Sequence, residues 1–118
     1  MQKKLLEENP IVKLSFYFSL KVINYCEKLE ATRKFVIANQ LIRAGTSIGA
    51  NIMEAQNPES KDDFIHKMKV AAKEADETQY WLMLCDNSEG YPDCKDLIAR
   101  LEEIQRVLTK ILASSRRK

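Results

Sequence analysis

The chain has 118 residues, of which 45% are apolar and 31% are charged, and its formal net charge is +2 at pH 7. This length fits one domain, residues 1–118, with enough chain to bury a core without disulfides or metals. The small net charge does not by itself predict nucleic-acid binding. Charges interrupt every window near the length of a membrane span, and the N-terminus lacks the apolar stretch of a signal peptide. We therefore expect a cytoplasmic protein without a membrane partner.

Cysteine and histidine are few, and their spacing matches none of the common metal or catalytic motifs. Cys26, Cys85 and Cys94 share no metal-ligand spacing, and His66 is the single histidine. We expect reduced thiols and a surface histidine, with a zinc or redox site as the alternative. The chain also lacks a phosphate-binding glycine loop, HExxH and a repeated Glu-x-x-His. These patterns predict no enzyme activity, no cofactor and no metal.

The first predicted helix begins after Asn9, a favourable N-cap, with Pro10 in the first helical position. It continues to about Leu29. Two apolar seams follow it, one through Phe16 and the other through Phe18. A helix with two apolar faces is either covered on both sides or binds another subunit.

The second predicted helix begins near Thr32, another capping residue, and ends at about Gln56. The residue before a proline resists helical geometry, so Asn57-Pro58 ends this helix. Small residues are frequent in it, including Gly45 and Gly49. A glycine inside a helix costs about 0.5–1 kcal/mol relative to alanine, so the two glycines predict that a neighbour approaches the backbone closely.

The third predicted helix is capped by Ser60 and continues to about Asn87 with apolar residues at alternating steps of three and four. After a turn with glycine and proline, the fourth begins near Asp93 and ends near Ala113. No segment shows the alternation of a half-buried strand. Four helices with short connections predict an all-α fold, an antiparallel up-down-up-down four-helix bundle.

Polar residues of the second and third predicted helices fall on shared faces. If these helices are antiparallel, Arg43 lies opposite the middle or later turns of the third helix. It can then pair with Glu74 or Glu77, within one chain or across subunits. The pattern predicts a structural polar network or interface, and a ligand or RNA contact is the alternative. The members of this predicted network are Arg43, Ser47, Asn51, Glu54, Glu74 and Glu77.

Both ends of the chain carry cations, and a solvated tail is one explanation for them. The other explanation is an arm that contacts phosphate, because symmetry in an oligomer would multiply a weak cationic site. The candidate nucleic-acid contacts are Lys3, Lys4, Arg116, Arg117 and Lys118.

The stretch FVIANQLIRAGTSIGANIMEA, followed by SKDDFIHKMKVAAKEADETQYWL, resembles the four-helix bundle proteins encoded in intervening sequences of bacterial 23S rRNA genes. The shared pattern is the helix-two arginine with SI..NI.E, then DF, a small residue and E..E. Here these positions are Arg43, Ser47, Ile48, Asn51, Ile52, Glu54, Asp63, Phe64, Ala71 or Ala72, Glu74 and Glu77. Ala55 stands where that family usually has glycine. The resemblance implies a homopentameric ring without an established catalytic activity.

A related branch comprises the accessory proteins of diversity-generating retroelements, which are strongly basic and bind reverse transcriptase and nucleic acid. A net charge of +2 is lower than the retroelement branch leads one to expect. We therefore favour the branch encoded in 23S rRNA intervening sequences. Two functions therefore compete: an oligomeric scaffold that binds structured RNA or rRNA, and an accessory subunit of a nucleic-acid enzyme such as a reverse transcriptase. The neighbouring gene, for rRNA or for a reverse transcriptase, would distinguish them.

Overall fold

The computed structural model describes residues 3–116, and all regular secondary structure within that range is helical. The helices are α1 (Lys3–Glu8), α2 (Pro10–Ala31), α3 (Phe35–Ala55), α4 (Lys61–Asp86) and α5 (Lys95–Ser115). Helix α2 packs against α3 and α5, and α4 also packs against α3 and α5. Because short connections join these four helices, chain neighbours run antiparallel. The predicted four-helix bundle is confirmed.

Helix α1 is not among the predicted helices, because the N-terminal cations predict a solvated end. It packs on α2, where Leu5 and Leu6 are partly buried against the core. The backbone N–H of Asn9 donates to Leu5 O at 3.0 Å, and the Asn9 side chain accepts from Val12 N. Asn9 therefore ends one helix and caps the next. Its Nδ2 also donates to Gln56 Oε1 at 3.0 Å, which ties the start of α2 to the end of α3.

The predicted start of the second long helix is wrong by three residues. Thr32 caps the C-terminus of α2 instead: its Oγ1 donates to Leu29 O at 3.2 Å, and α3 begins at Phe35. Arg33 has a φ of 65°, and the N–H groups of Arg33 and Lys34 donate to Glu30 O and Leu29 O, each at 2.9 Å. This is the Schellman arrangement, in which glycine usually takes the left-handed position.

The core lies along the bundle axis, with contributions from all four long helices. The largest fully buried side chains are Phe18, Leu29, Leu41, Ile48, Ile52, Met68, Leu82, Leu101, Ile104, Leu108, Val12 and Val22. Both helical glycines of α3 face α2, as close approach requires. A Cβ on Gly45 would lie 3.0 Å from Val22 Cγ1, and one on Gly49 would lie 3.3 Å from Ser19 Oγ. Among the described residues, no helix is both long and apolar enough to cross a membrane.

Candidate functional site

Arg43 lies on the exposed side of α3 and extends across to two glutamates of α4. Its Nη2 donates a hydrogen bond to Glu77 Oε2, and its Nη1 lies 3.6 Å from Glu74 Oε1. The two glutamates are three residues apart on α4, so they occupy one face of that helix. We name Arg43, Glu74, Glu77 and Trp81 the arginine–glutamate cluster. Its ion pairs form within one chain.

Trp81 fixes the carboxylate of Glu77 from a second side. Its Nε1 donates to Glu77 Oε2 at 2.9 Å, and Gln40 Oε1 accepts from Arg43 Nη2 at 3.4 Å. Trp81 and Gln40 are not among the predicted network residues, although their spacing carries the signal. Trp81 follows Glu77 by four residues and Gln40 precedes Arg43 by three, so each pair shares a helix face.

The cluster sets one guanidinium against two carboxylates, and water reaches part of it. The Arg43 side chain is 50% exposed, Glu77 is 36% exposed and Glu74 is 23% exposed. Glu74 Oε1 is buried and accepts no hydrogen bond from any described residue. Because Arg43 and Glu77 are solvated, their attraction is screened. The arrangement fixes the register of α3 against α4 through directed hydrogen bonds.

The other predicted members of the polar network lie outside the cluster. Ser47 Oγ donates to Arg43 O at 2.6 Å, and Asn51 Nδ2 donates to Ser47 O at 2.9 Å, so both side chains bind carbonyls of their own helix. Glu54 accepts instead from Lys67 Nζ at 2.8 Å. That hydrogen bond raises the pKa of Lys67. The six predicted residues thus form a cluster, a helix-bound pair and a separate ion pair.

The candidate nucleic-acid contacts lie towards one end of the bundle. Lys3 and Lys4 begin α1, Arg116 follows α5, and all three are exposed. Since α2 and α5 run antiparallel in the bundle, the start of α2 and the end of α5 share that end. Arg117 and Lys118 lie outside the described residues.

The three thiols are buried and unpaired, and His66 is exposed. Burial raises the pKa of Cys26 to about 12 and that of Cys94 to about 11. A thiol with such a pKa is protonated near neutral pH and is a poor nucleophile or metal ligand. Within residues 3–116, no group of three or more His, Cys, Asp or Glu side chains is placed to hold a metal ion.

An apolar groove of about 320 Å³ runs along the surface between α2 and α3. We name it the α2–α3 groove; its walls include Phe16, Leu20, Ile23, Gly49, Ala50 and Met53. None of the residues that line it is charged. The first apolar seam predicted for the α2 segment is divided: Phe16 and Ile23 line this groove, whereas Val12 and Cys26 of the same seam are buried in the core.

Together these features define an all-α four-helix bundle protein with an arginine–glutamate cluster on its surface, an apolar groove between α2 and α3, and cationic residues near both ends of the chain. Residues 7–110 match the family described as 23S rRNA-intervening sequence protein. The chain belongs to that family, as the resemblance predicted.

One solved structure is similar along most of the chain. It is the crystal structure of a protein of unknown function from the S23 ribosomal protein family, from Bacteroides thetaiotaomicron VPI-5482. The two chains are 37% identical and superpose with a TM-score of 0.82, and the match covers 86% of this chain and 97% of that one. No functionally curated protein matches this chain.

Proposed function

We propose that this chain is a non-enzymatic cytoplasmic protein that self-associates and presents its cationic ends to structured RNA. The observation that carries the proposal is the α2–α3 groove, where Leu20 and Ile23 expose large apolar side chains to solvent. Contiguous exposed apolar surface marks a contact with another molecule. The three unpaired thiols suit a reducing compartment.

The assembly we propose is a homopentamer, which is the form that the resemblance implies. Sedimentation of the purified protein at micromolar concentration, with and without nuclease treatment, measures its mass. We expect five times the 13.6 kDa of one chain in both preparations. A 13.6 kDa species alone would contradict self-association, and another multiple would correct the subunit number.

RNA binding by such an assembly would be electrostatic and directed by shape. Lys3, Lys4 and Arg116 are exposed cations in each subunit, and symmetry would bring several copies of them to one ligand. Neutralising several phosphates releases counterions, so affinity should fall steeply with salt. The cations contact phosphate and not base edges, so we expect little sequence discrimination.

Titration of the purified oligomer with structured RNA at low and moderate salt tests this. The chain ending at Ser115 and the Lys3→Gln/Lys4→Gln variant should both bind more weakly and with a smaller salt slope. Lys28→Gln/Lys73→Gln is the matched control, because it removes two exposed charges elsewhere on the bundle. No binding at low salt would remove the RNA proposal. Equal loss in the control would show that total charge, and not the cationic ends, determines affinity.

A further inference from the structure

A cavity of about 440 Å³ opens beside the turn that connects α2 to α3, where Trp81 of α4 and the α4–α5 connection also reach the surface. Its volume is in the range of cavities that hold small ligands. We name it the turn cavity; its walls include two cations and three aromatic rings, which belong to Arg33, Lys34, Phe35, Trp81 and Tyr91. None of the described residues that line it is acidic. The turn cavity therefore combines positive charge with aromatic surface, whereas the α2–α3 groove is uncharged.

The two cations of the turn cavity keep their charge available for a ligand. Neither Arg33 nor Lys34 forms an ion pair with a carboxylate of residues 3–116, in contrast to Arg43. Lys34 Nζ donates to Thr32 Oγ1 at 3.1 Å and lies 4.9 Å from the centroid of the Tyr91 ring, and both contacts leave its charge in place. The positive end of the α3 dipole adds to the same region. An anion bound here would meet positive charge that the protein itself does not neutralise.

Arg33 supplies its guanidinium from a strained backbone position. Its φ of 65° lies in the left-handed region, where glycine is the less strained residue. Non-glycine residues in that region are concentrated at binding and catalytic sites. Glycine at this position would relieve the strain but would leave the turn cavity with one cation fewer. The sequence thus has a charged side chain where conformational stability alone favours none.

The aromatic residues present ring surface to the same cavity. Phe35 is the first residue of α3, and its side chain is 49% exposed, so the protein core does not occupy its ring. Trp81 Nε1 already donates to Glu77, so Trp81 offers its ring and not its N–H to a ligand. Aromatic rings of this kind stack on the flat faces of nucleobases, and they do so with little dependence on base identity.

We propose that the turn cavity binds an unpaired nucleotide of single-stranded RNA, with the base stacked on aromatic surface and the phosphate beside Arg33 and Lys34. A nucleotide joins a flat ring to an anion, and the cavity carries a complementary group for each. Bases inside a duplex are stacked on one another and cannot enter, whereas unpaired bases can be splayed out.

This inference rests on the RNA binding proposed above and adds where an unpaired nucleotide binds. Helix α2 begins near Lys3 and Lys4 and finishes at the turn cavity, so the cationic ends and the cavity lie at opposite ends of the bundle. Substitutions can therefore test the two contacts separately.

Titration with a labelled single-stranded RNA and with an abasic strand of the same length tests the role of the base. The strand that carries bases should bind the wild-type protein more tightly. Phe35→Leu keeps an apolar side chain at an exposed position but removes the ring, so affinity for the strand with bases should fall about tenfold. Tyr17→Leu is the matched control, because it removes a ring that is 45% exposed on α2, outside the cavity, and should leave affinity unchanged.

Substitution of Arg33 tests the role of the phosphate. Arg33→Ala and Arg33→Gly should each weaken binding and reduce the slope of log affinity against log salt by about 0.7, the value for one phosphate of a single strand. Because Arg33→Gly relieves backbone strain, a loss of affinity in that variant cannot arise from unfolding. Arg106→Ala removes an exposed arginine of α5 and should change neither the affinity nor the slope.

The other outcomes identify a different ligand or none. Equal affinity for the two strands, or unchanged affinity in Phe35→Leu and Arg33→Ala, would overturn the cavity site. If structured RNA still binds and responds to Lys3→Gln/Lys4→Gln, the proposed function stands without that site. AMP binding as tight as that of the oligonucleotide would overturn RNA as the source of the nucleotide. Displacement of the strand by a lower concentration of an acidic, aromatic peptide would assign the cavity to a protein and overturn the inference. Absence of all RNA binding at low salt would overturn both proposals.

Discussion

Helix α3 contacts its two neighbours in two different ways. On the side of α2 its glycines let the helices approach, so that a Cβ on Gly45 would lie only 3.0 Å from Val22 Cγ1. On the side of α4 long side chains bridge the helices, with Arg43 bound to Glu77 and 3.6 Å from Glu74. The first contact is dry and depends on shape, whereas the second is partly solvated and depends on charge.

Helix α3 is thus positioned in two independent ways, by close packing against α2 and by ion pairs with α4. Close packing of buried atoms is sensitive to every added methyl group. A half-exposed ion pair contributes less to the free energy of unfolding, but its directed hydrogen bonds select one register. Substitutions on the α2 side of α3 should therefore change stability more than substitutions on its α4 side.

The largest expected effect is that of Gly45→Val. Its side chain would overlap the methyl groups of Val22, which is fully buried in the core. We expect the free energy of unfolding to fall by about 3 kcal/mol, the upper end for an overpacked core. Urea unfolding followed by circular dichroism measures the change.

Two further variants distinguish steric overlap at Gly45 from a general intolerance of α3 to substitution of its glycines. Val22→Ala in the Gly45→Val background should recover part of the loss, because it removes the two methyl groups that collide. Gly49→Ala should change stability by less than about 1 kcal/mol, since its Cβ meets the Ser19 side chain at 3.3 Å and alanine favours the helix. Equal losses for Gly45→Val with and without Val22→Ala would contradict the steric account.

Arg43→Ala tests the charged side of the comparison. Two neighbouring carboxylates would lose their cation, and one oxygen of Glu74 is already buried without a hydrogen bond from the described residues. A dry cluster would lose about 3 kcal/mol, but half of the Arg43 side chain is exposed. We therefore expect a loss of about 1–2 kcal/mol, between the values for buried and surface pairs.

Replacing the carboxylates in the Arg43→Ala background identifies the cause of that loss. Glu74→Gln/Glu77→Gln removes the repulsion that Arg43 had balanced, so the triple variant should be more stable than Arg43→Ala alone. If the triple variant is no more stable, the loss arises from the packing of the Arg43 alkyl chain and not from charge.

The helical periodicity predicted the architecture, because buried positions of long amphipathic helices repeat at steps of three and four. Asn9 and Ser60 were recognised as caps, since each side chain accepts a backbone N–H as predicted. The boundary at Thr32 was wrong because Arg33 takes the left-handed position that usually marks a helix end with glycine. Because an arginine and not a glycine occupies this position, the sequence does not indicate where α2 ends.

The candidate site could be predicted only in part, for a similar reason. The spacing of Arg43, Glu74 and Glu77 was sufficient to place them opposite each other on antiparallel helices. Ser47 and Asn51 share the stripe of Arg43, but each finds a backbone carbonyl four residues earlier within its own helix. Periodicity identifies the face of a side chain and not its hydrogen-bond partner.

A smaller effect, an increase in stability, is expected at the turn that connects α2 to α3. Arg33→Gly relieves the crowding of a Cβ at φ 65°. It also gives the unfolded chain more freedom, so the net gain should be about 0.5–1 kcal/mol. Arg33→Ala is the control, because it removes the charge but keeps the Cβ, and it should show no gain. Equal stabilisation by both variants would assign the effect to charge.

The smallest effect is expected at the second ion pair between α3 and α4, which joins Lys67 to Glu54, a predicted member of the same polar network as Arg43. Glu54 accepts from Lys67 Nζ at 2.8 Å, but its side chain is 58% exposed. Lys67→Ala should therefore leave the melting temperature unchanged within error. The raised pKa of Lys67 means that any stabilisation is present below the ordinary lysine pKa of 10.5 and disappears as pH rises through the folded-state value. Measurements at neutral pH, where the pair is intact, thus test its full contribution. A loss equal to that of Arg43→Ala would place Glu54 and Lys67 in one cooperative network with the arginine–glutamate cluster, and would show that charge orders the α3–α4 contact along its whole length.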